Sequence, residues 1–359
     1  MRTLLFSADP GIPLHGPSGA SAHLRGVARA LGAAGQVVTI AVPRRSDARG
    51  AVDDPVSAQV IAVEPRRWGF IPRRWRERGE GSDARRLADA AGVHDLVWER
   101  FSGFGDARGT APVRIVEVNA PVARERAAAG RLFDPRYAAR REREILGSAD
   151  RVITVSRWLS DWVVQEVGVL ADRVVHVPNG VERRVGDRDG TRRRLGLDGP
   201  VLGFLGSMKP WHGVDRLPAI LDALPGFTAV VAGDGPIEVP RHPRLRALGR
   251  VAPRHVADVV AAMDVGLAPY RADAPPWFCP LKILEYRAQG VPVVAADVGD
   301  CRALGAAIVV DDDWVGAIHA ALGELRVPWV RGWDQVVAEA LAGTKVAANA
   351  IPAEQGDVE

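Results

Sequence analysis

Cysteine is nearly absent from this sequence. Cys279 and Cys301 are the only two, and they share no CxxC spacing. That excludes a disulfide framework and a cysteine-based zinc module, and it fits a reducing compartment. Long apolar runs are missing as well. No segment reaches the roughly 18 to 20 apolar residues that cross a bilayer as a helix. The opening MRTLLFSADPGIP is interrupted at Asp9 and Pro10, so it reads as a first strand rather than a signal peptide, and a cytoplasmic location is expected. A surplus of one charge is lacking too. The net charge is +3, with acids and bases interspersed. Without a basic stripe, nucleic acid is not an expected partner, whereas an acidic small molecule such as a nucleotide suits the balance. Rarest among the charged side chains is lysine, found only at positions 209, 282 and 345 among 47 basic residues. Against a background of arginine, each lysine marks a place to inspect.

What is present is a regular alternation. With 359 residues and roughly 150 per domain, two domains are expected. Short apolar strands alternate with helical periodicity, the mark of a parallel α/β fold. In the first half the strands are Thr3–Ser7, Val37–Val42, Val60–Val63, Leu96–Trp98, Val113–Val118 and Val152–Val155, with helices over His23–Leu31 and Arg136–Leu146. The pattern restarts at Val201–Leu205 and continues through strands Ala229–Ala232, Val265–Ala268, Val293–Ala296 and Ala307–Val310. Its helices are Asp215–Leu224, Val256–Met263 and Leu281–Gln289. The reading is two Rossmann-like units in series: residues 1–180, a Gly-rich, charged linker over 181–199, and residues 200–332. A last helix, about 333–350 with its clearest periodicity at Trp333–Leu341, crosses back to the first unit.

The loops after the strands carry the chemistry. Gly11-Ile-Pro-Leu-His-Gly16-Pro17-Ser18 imitates a phosphate-binding loop but places Pro17 in the lysine slot, and no GxGxxG follows the first strand. Nucleotide hydrolases and dehydrogenases are disfavoured on both counts. The small residues Gly16, Gly19, Ala20 and Ser21 still leave backbone N–H groups at a helix start open to an anion. A plain strand-to-helix connection is the alternative. In the second half, Gly206-Ser-Met-Lys209-Pro-Trp-His212-Gly213 follows the first strand, and Lys209 and His212 offer donors to a ligand. Asp234 in AGDGP caps or braces a turn, and the backbone of Gly249–Val251 is placed to meet a planar base.

The strongest segment is Pro276-Trp-Phe-Cys-Pro280-Leu281-Lys282-Ile-Leu-Glu285-Tyr. Pro280 suits a helix start. Lys282 then stands in the first turn with Glu285 one turn later. Lys282 and free N–H groups would hold a diphosphate, while Glu285 would accept from ribose hydroxyls. A capped helix with a solvated Lys–Glu pair is the alternative.

Taken in order, DPGIPLHGPSGASAHLRGVARAL, ADRVITVS, VPNGV, GSMKPWHG, AGDGP, AAMDVGLAPY and PLKILEYRAQGVPVV cover almost the whole chain. The set resembles the family-four retaining glycosyltransferases of the GT-B fold, in a subgroup with PLK and EVNAP-type segments. The resemblance implies two Rossmann-like domains facing a central cleft, a nucleotide-diphosphate sugar donor on the second, a small-molecule or glycan acceptor on the first, and retention at the anomeric carbon. No cofactor and no metal are implied. Carried over, Glu285 binds the donor ribose, Pro280, Leu281 and Lys282 hold the diphosphate, Gly19 lies near the donor phosphates, and Val251 meets the base. The catalytic groups would be Lys282 and Asn119.

The sequence departs from that family in three places. Trp277 stands where a second glutamate is common. Ser207 and His212 replace the usual Arg and Lys of the phosphate loop. Asn119 stands where the first domain often has a histidine; it can donate to a sugar hydroxyl but cannot shuttle a proton. Two other functions share such a fold: a nucleotide-sugar epimerase, and a non-catalytic protein that binds sugar nucleotides. Asp311-Asp-Asp313 reads as a solvated acidic turn rather than a metal motif. The segment 66–78, with Trp68, Phe70 and Trp75 among arginines, reads as a loop over the first domain that could touch a membrane surface or an acceptor.

Overall fold

A computed structural model describes residues 1–16, 18–44, 54–66 and 72–344. Pro17, Trp68, Phe70 and Lys345 lie outside the described residues. The first sheet contains β1 (Arg2–Ser7), β2 (Val37–Pro43), β3 (Gln59–Val63), β4 (Leu96–Arg100), β5 (Val113–Val118), β6 (Arg151–Thr154) and β7 (Val174–His176). Their order is β3-β2-β1-β4-β5-β6-β7. The second sheet contains β8 (Val201–Leu205), β9 (Thr228–Ala232), β10 (Leu245–Gly249), β11 (Val265–Ala268), β12 (Val293–Ala295) and β13 (Ala307–Ile308), in the order β10-β9-β8-β11-β12-β13. Every pairing is parallel. Strands β7 and β10 are additions to those read from the sequence.

The strand order reverses beside β1 in one sheet and beside β8 in the other. Loops leaving the strand ends there part to opposite faces and open a crevice, which is where open α/β sheets bind ligands. The strands are apolar on both faces because helices cover both. Leu5 belongs to the core under the helix Gly19–Ala33, while Leu4 and Phe6 belong to the core on the other face, with Leu87 and Ala88.

Helix Gly19–Ala33 starts where Ser18 accepts a hydrogen bond from the Ser21 N–H at 3.2 Å. Its buried face, Leu24, Val27 and Leu31, shares one core with Val336, Val337, Ala340 and Leu341 of the final helix Trp333–Leu341. That helix therefore packs on the first domain. The two crossings between domains run side by side: Val181 bridges Gly332, and the Val181 N–H donates to the Arg331 carbonyl at 2.8 Å.

Part of the stretch read as a linker is ordered on the second domain. Within 181–199, Arg188–Leu195 is a helix that Asp187 caps and Gly196 closes. Arg188 and Arg192 both pair with Asp264, at 2.5 and 3.0 Å. Residues 73–78 of the segment 66–78 depart from its reading as a loop. Arg73–Trp75 forms a helical turn and residues 76–78 open the helix Arg76–Ala91. Arg78 there pairs with Asp134 at 3.2 Å and lies 5.2 Å from the Tyr137 ring centroid. The acidic triplet shapes the start of the helix Trp314–Leu322. Asp313 caps it, and Asp312 accepts from Arg216 and from the Trp314 indole, each at 2.7 Å.

Candidate active site

The helix Leu281–Ala288 is fixed to the second sheet by Tyr286. The Tyr286 hydroxyl accepts from the Leu205 N–H at 2.8 Å, at the end of β8. Its ring lies over Gly266 of β11, where a Cβ would stand 2.4 Å from it, so that position admits no side chain. This anchoring holds the start of the helix at the reversal between β8 and β11. Pro280 occupies the cap position without a side-chain hydrogen bond, and the first turn contains no acid. The helix dipole and free N–H groups thus face the crevice without an internal counter-charge.

Lys282 is turned inward. It is 6% exposed, and its Nζ has no hydrogen-bond partner among the described residues. The ammonium lies 3.9 Å from the ring centroid of Phe204 and 4.9 Å from that of Tyr270. It reaches the Gly206 turn, with Nζ 3.7 Å from where a Gly206 Cβ would be. Burial lowers its pKa to about 7. The alternative of a solvated Lys–Glu pair is thereby excluded. Glu285 instead lies near the domain crossing. It is half-buried, and burial together with Glu182 raises its carboxyl to about 7 against the pull of Arg184.

His212 sits beside Lys282 but is not the donor expected from the sequence. It is 7% exposed and packs edge-on to Trp211, with centroids 4.2 Å apart. Its Nδ1 contacts the Ser207 carbonyl, which can only accept, so the ring N–H is committed there. Burial and the charge of Lys282 lower its pKa to about 3. His212 is neutral and braces the Gly206–Gly213 loop. Lys209 is exposed, with Nζ 5.4 Å from the Trp211 centroid. Asp234 is exposed and pairs with Arg250 at 2.7 Å, while its carbonyl accepts from the Met208 N–H at 3.1 Å; it braces rather than caps. Val251 follows β10 and packs partly buried against the core.

The first domain brings a second helix start to the cleft. A Cβ on Gly19 would stand 3.0 Å from Leu281 Cδ1. Gly19 and Leu281 each open their helix, and neither first turn holds an acid. Two positive helix ends therefore converge across the cleft. Beside them, the ends of β1, β4 and β5 align Ser7, Arg100 and Glu117 in register. Glu117 contacts His23 at 2.5 Å and accepts from the Trp98 indole at 2.9 Å. Burial would raise its pKa, but His23 and Arg100 prevail and hold it at about 2. Arg100 Nη1 and Asn119 Nδ2, two positions beyond Glu117, are both buried without a partner.

Trp277, in the slot of the second family glutamate, joins the domains. Its indole N–H donates to Glu125 at 2.9 Å, its carbonyl accepts from Ser156 Oγ at 2.8 Å, and its ring centroid is 5.2 Å from that of Trp158. Arg100 and the Glu117–His23 pair were absent from the sequence reading. The available signal was the tail of the fourth strand, where two charged residues continue the alternation of LVW.

The family model for Glycosyltransferase Family 4 matches residues 17–184, and that for Glycosyl transferases group 1 matches residues 199–326. The D-inositol 3-phosphate glycosyltransferase of Acidothermus cellulolyticus is 30% identical over 53% of this chain and 48% of its own. The chain thus spans about half the length of that relative. Among solved structures, the fold is similar to sucrose-phosphate synthase from Thermosynechococcus elongatus, with a TM-score of 0.68 and 18% identity over 98% of this chain and 96% of that one. It is also similar to Anabaena HepE in complex with UDP-glucose, with a TM-score of 0.64 and 17% identity over 94% of both chains. The first domain of this chain thus matches the Family 4 glycosyltransferase model and the second the group 1 glycosyltransferase model, within the two-sheet GT-B fold.

Proposed function

We propose that this protein transfers a sugar from a nucleotide-diphosphate donor to a hydroxyl of a second molecule, with retention at the anomeric carbon. The observation that carries the reading is Lys282: a buried ammonium without a partner, at the start of a helix that faces a second helix start. An uncompensated buried cation is costly, and a bound diphosphate would supply the missing charge. Glu285, half-buried near the crossing and without a hydrogen-bond partner among the described residues, would accept from ribose hydroxyls. The similarity to HepE in complex with UDP-glucose supports the donor class.

In the step itself the bond from the anomeric carbon to the diphosphate oxygen breaks and the bond to the acceptor oxygen forms. The acceptor proton passes to the departing diphosphate. Negative charge grows on that leaving group, where Lys282, the two helix starts and Lys209 would oppose it. Charge stabilisation by these groups makes a metal-independent reaction the expected one. Asn119 Nδ2 is free to donate to a sugar hydroxyl.

Thermal-shift titration with UDP-, GDP- and dTDP-sugars tests donor binding, because a ligand of the folded state raises apparent stability. Product analysis with the bound donor then separates the functions. A glycosylated acceptor with retained configuration supports the proposal. An epimerised donor, or binding without turnover, replaces it.

A further inference from the structure

Resting on the transferase reading, we infer that Arg100 is the anion-recognising residue on the acceptor side of the cleft, and that the acceptor carries a phosphate or carboxylate beside the hydroxyl it presents. Arg100 is the last residue of β4, at the strand reversal, in register with Ser7 of β1 and Glu117 of β5. Parallel partners share a face, so these three side chains lie on the face covered by helix Gly19–Ala33. Arg100 is 8% exposed, and among the described residues its guanidinium makes no hydrogen bond or ion pair.

The nearby carboxylates Glu117 and Asp9 attract that charge through space, and neither hydrogen-bonds it. Glu117 is engaged by His23 and Trp98. Asp9 attracts Arg100 without pairing with it, and its Oδ1 accepts from the Gly11 N–H at 2.7 Å. Among the described residues, the other buried arginines have their charge placed. Arg25 pairs with Asp54 and donates to the Leu14 and Gly16 carbonyls, and Arg114 pairs with Glu99 and donates to the Ile145 carbonyl. The planar fork of Arg100 is the natural partner of a phosphate or carboxylate. Two more polar atoms without a partner among the described residues lie on the neighbouring strand ends, Ser7 Oγ in register with Arg100 and Asn119 Nδ2 two positions beyond Glu117, and both suit the hydroxyls of a polyol. The donor's diphosphate already has Lys282 on the opposite domain, so the anion at Arg100 belongs to the acceptor.

Three probes test this by thermal-shift titration of the full chain: glucose 6-phosphate, glucuronate and glucose, each with and without UDP, GDP or dTDP. The wild type should bind at least one of the two anions about tenfold or more tighter than glucose, and Arg100→Gln should abolish that preference while nucleotide affinity stays within about twofold. Whichever anion is favoured names the group as phosphate ester or carboxylate. Arg100→Lys keeps the charge without the fork and should retain a weaker preference. The unliganded Arg100→Gln protein should melt no lower than the wild type, because an unpaired buried charge has been removed. No anion preference in the wild type, or the same preference in Arg100→Gln, would overturn the inference. So would a drop in nucleotide affinity on substitution, which would assign Arg100 to the donor, or an Arg100→Gln protein that melts lower or does not fold. Absence of nucleotide binding in the wild type would instead remove the transferase reading, with the anion site still decided by the same titrations.

Discussion

Gly19 and Leu281 open two helices that belong to different domains, and they meet across the cleft, with a Cβ on Gly19 falling 3.0 Å from Leu281 Cδ1. A methyl group at position 19 would press on the end of the Leu281 side chain, and a larger side chain would press further. Gly19→Ala should be tolerated after a small shift of the Leu281 side chain. Gly19→Leu should hold the two helix starts apart and reduce turnover by about tenfold or more, the scale expected when reacting groups are displaced by about 1 Å. Initial rates and melting temperatures of the two variants check this. Unchanged turnover in Gly19→Leu would mean that the helix starts need not converge.

Lys282→Met keeps the apolar stem against Phe204 and Tyr270 and removes the ammonium. Nucleotide-diphosphate affinity should fall about ten- to a hundredfold, as for loss of an ionic hydrogen bond. Turnover should fall with it if the charge meets the leaving group. Calorimetry and initial rates decide; equal values for variant and wild type would place the phosphate site elsewhere.

Stability of the unliganded protein should dip near pH 7. Glu285 has its pKa raised from 4.5 to about 7. Between those values the native state holds the extra proton, so its stability contribution falls as pH rises through that window. Lys282 has its pKa lowered from 10.5 to about 7. Between 7 and 10.5 the unfolded chain holds the extra proton, so stability recovers as pH rises. The double variant Lys282→Met, Glu285→Gln should flatten the dip in melting temperature against pH, and a nucleotide that binds both groups should make it shallower.

The Trp277 indole and the Glu125 carboxylate join the domains by one hydrogen bond at 2.9 Å. A double-mutant cycle with Trp277→Phe and Glu125→Gln should give a coupling of about 0.5–1 kcal/mol, at the modest end for an exposed charged acceptor. Zero coupling would indicate that the domains part in solution.

Activity should persist in excess EDTA. The acidic triplet is engaged in shaping a helix start, with Asp313 capping and Asp312 held by Arg216. Loss of turnover that Mg²⁺ restores would return attention to it.

Much of the architecture was legible because periodicity is local. Alternating strand and helix patterns placed eleven of the thirteen strands found among the described residues, and the final helix starts at Trp333 as read but ends at Leu341, short of the bound near 350. The failures have physical causes. Strand β10 (LRALG) is partly exposed and is broken by Arg246, so it lacks the apolar run of a buried strand. The helix Arg188–Leu195 is almost entirely polar, and its place is set by Asp264, seventy residues further on.

Of the candidate site, sequence alone determined which loops leave the strand reversals and which helices start there: Gly19, Pro280, Leu281 and Lys282 follow from local order. Tertiary structure decided the electrical state of each group. Lys282 could equally have been a solvated helix residue by local pattern and is buried over Phe204; His212 looked like a donor and has its N–H committed to Ser207. Arg100 ends a strand that seemed to stop at Trp98, and only the register of β1, β4 and β5 shows that its charge is left without a partner. Burial and pairing depend on what distant segments bring to the same place, and a linear pattern does not carry that information.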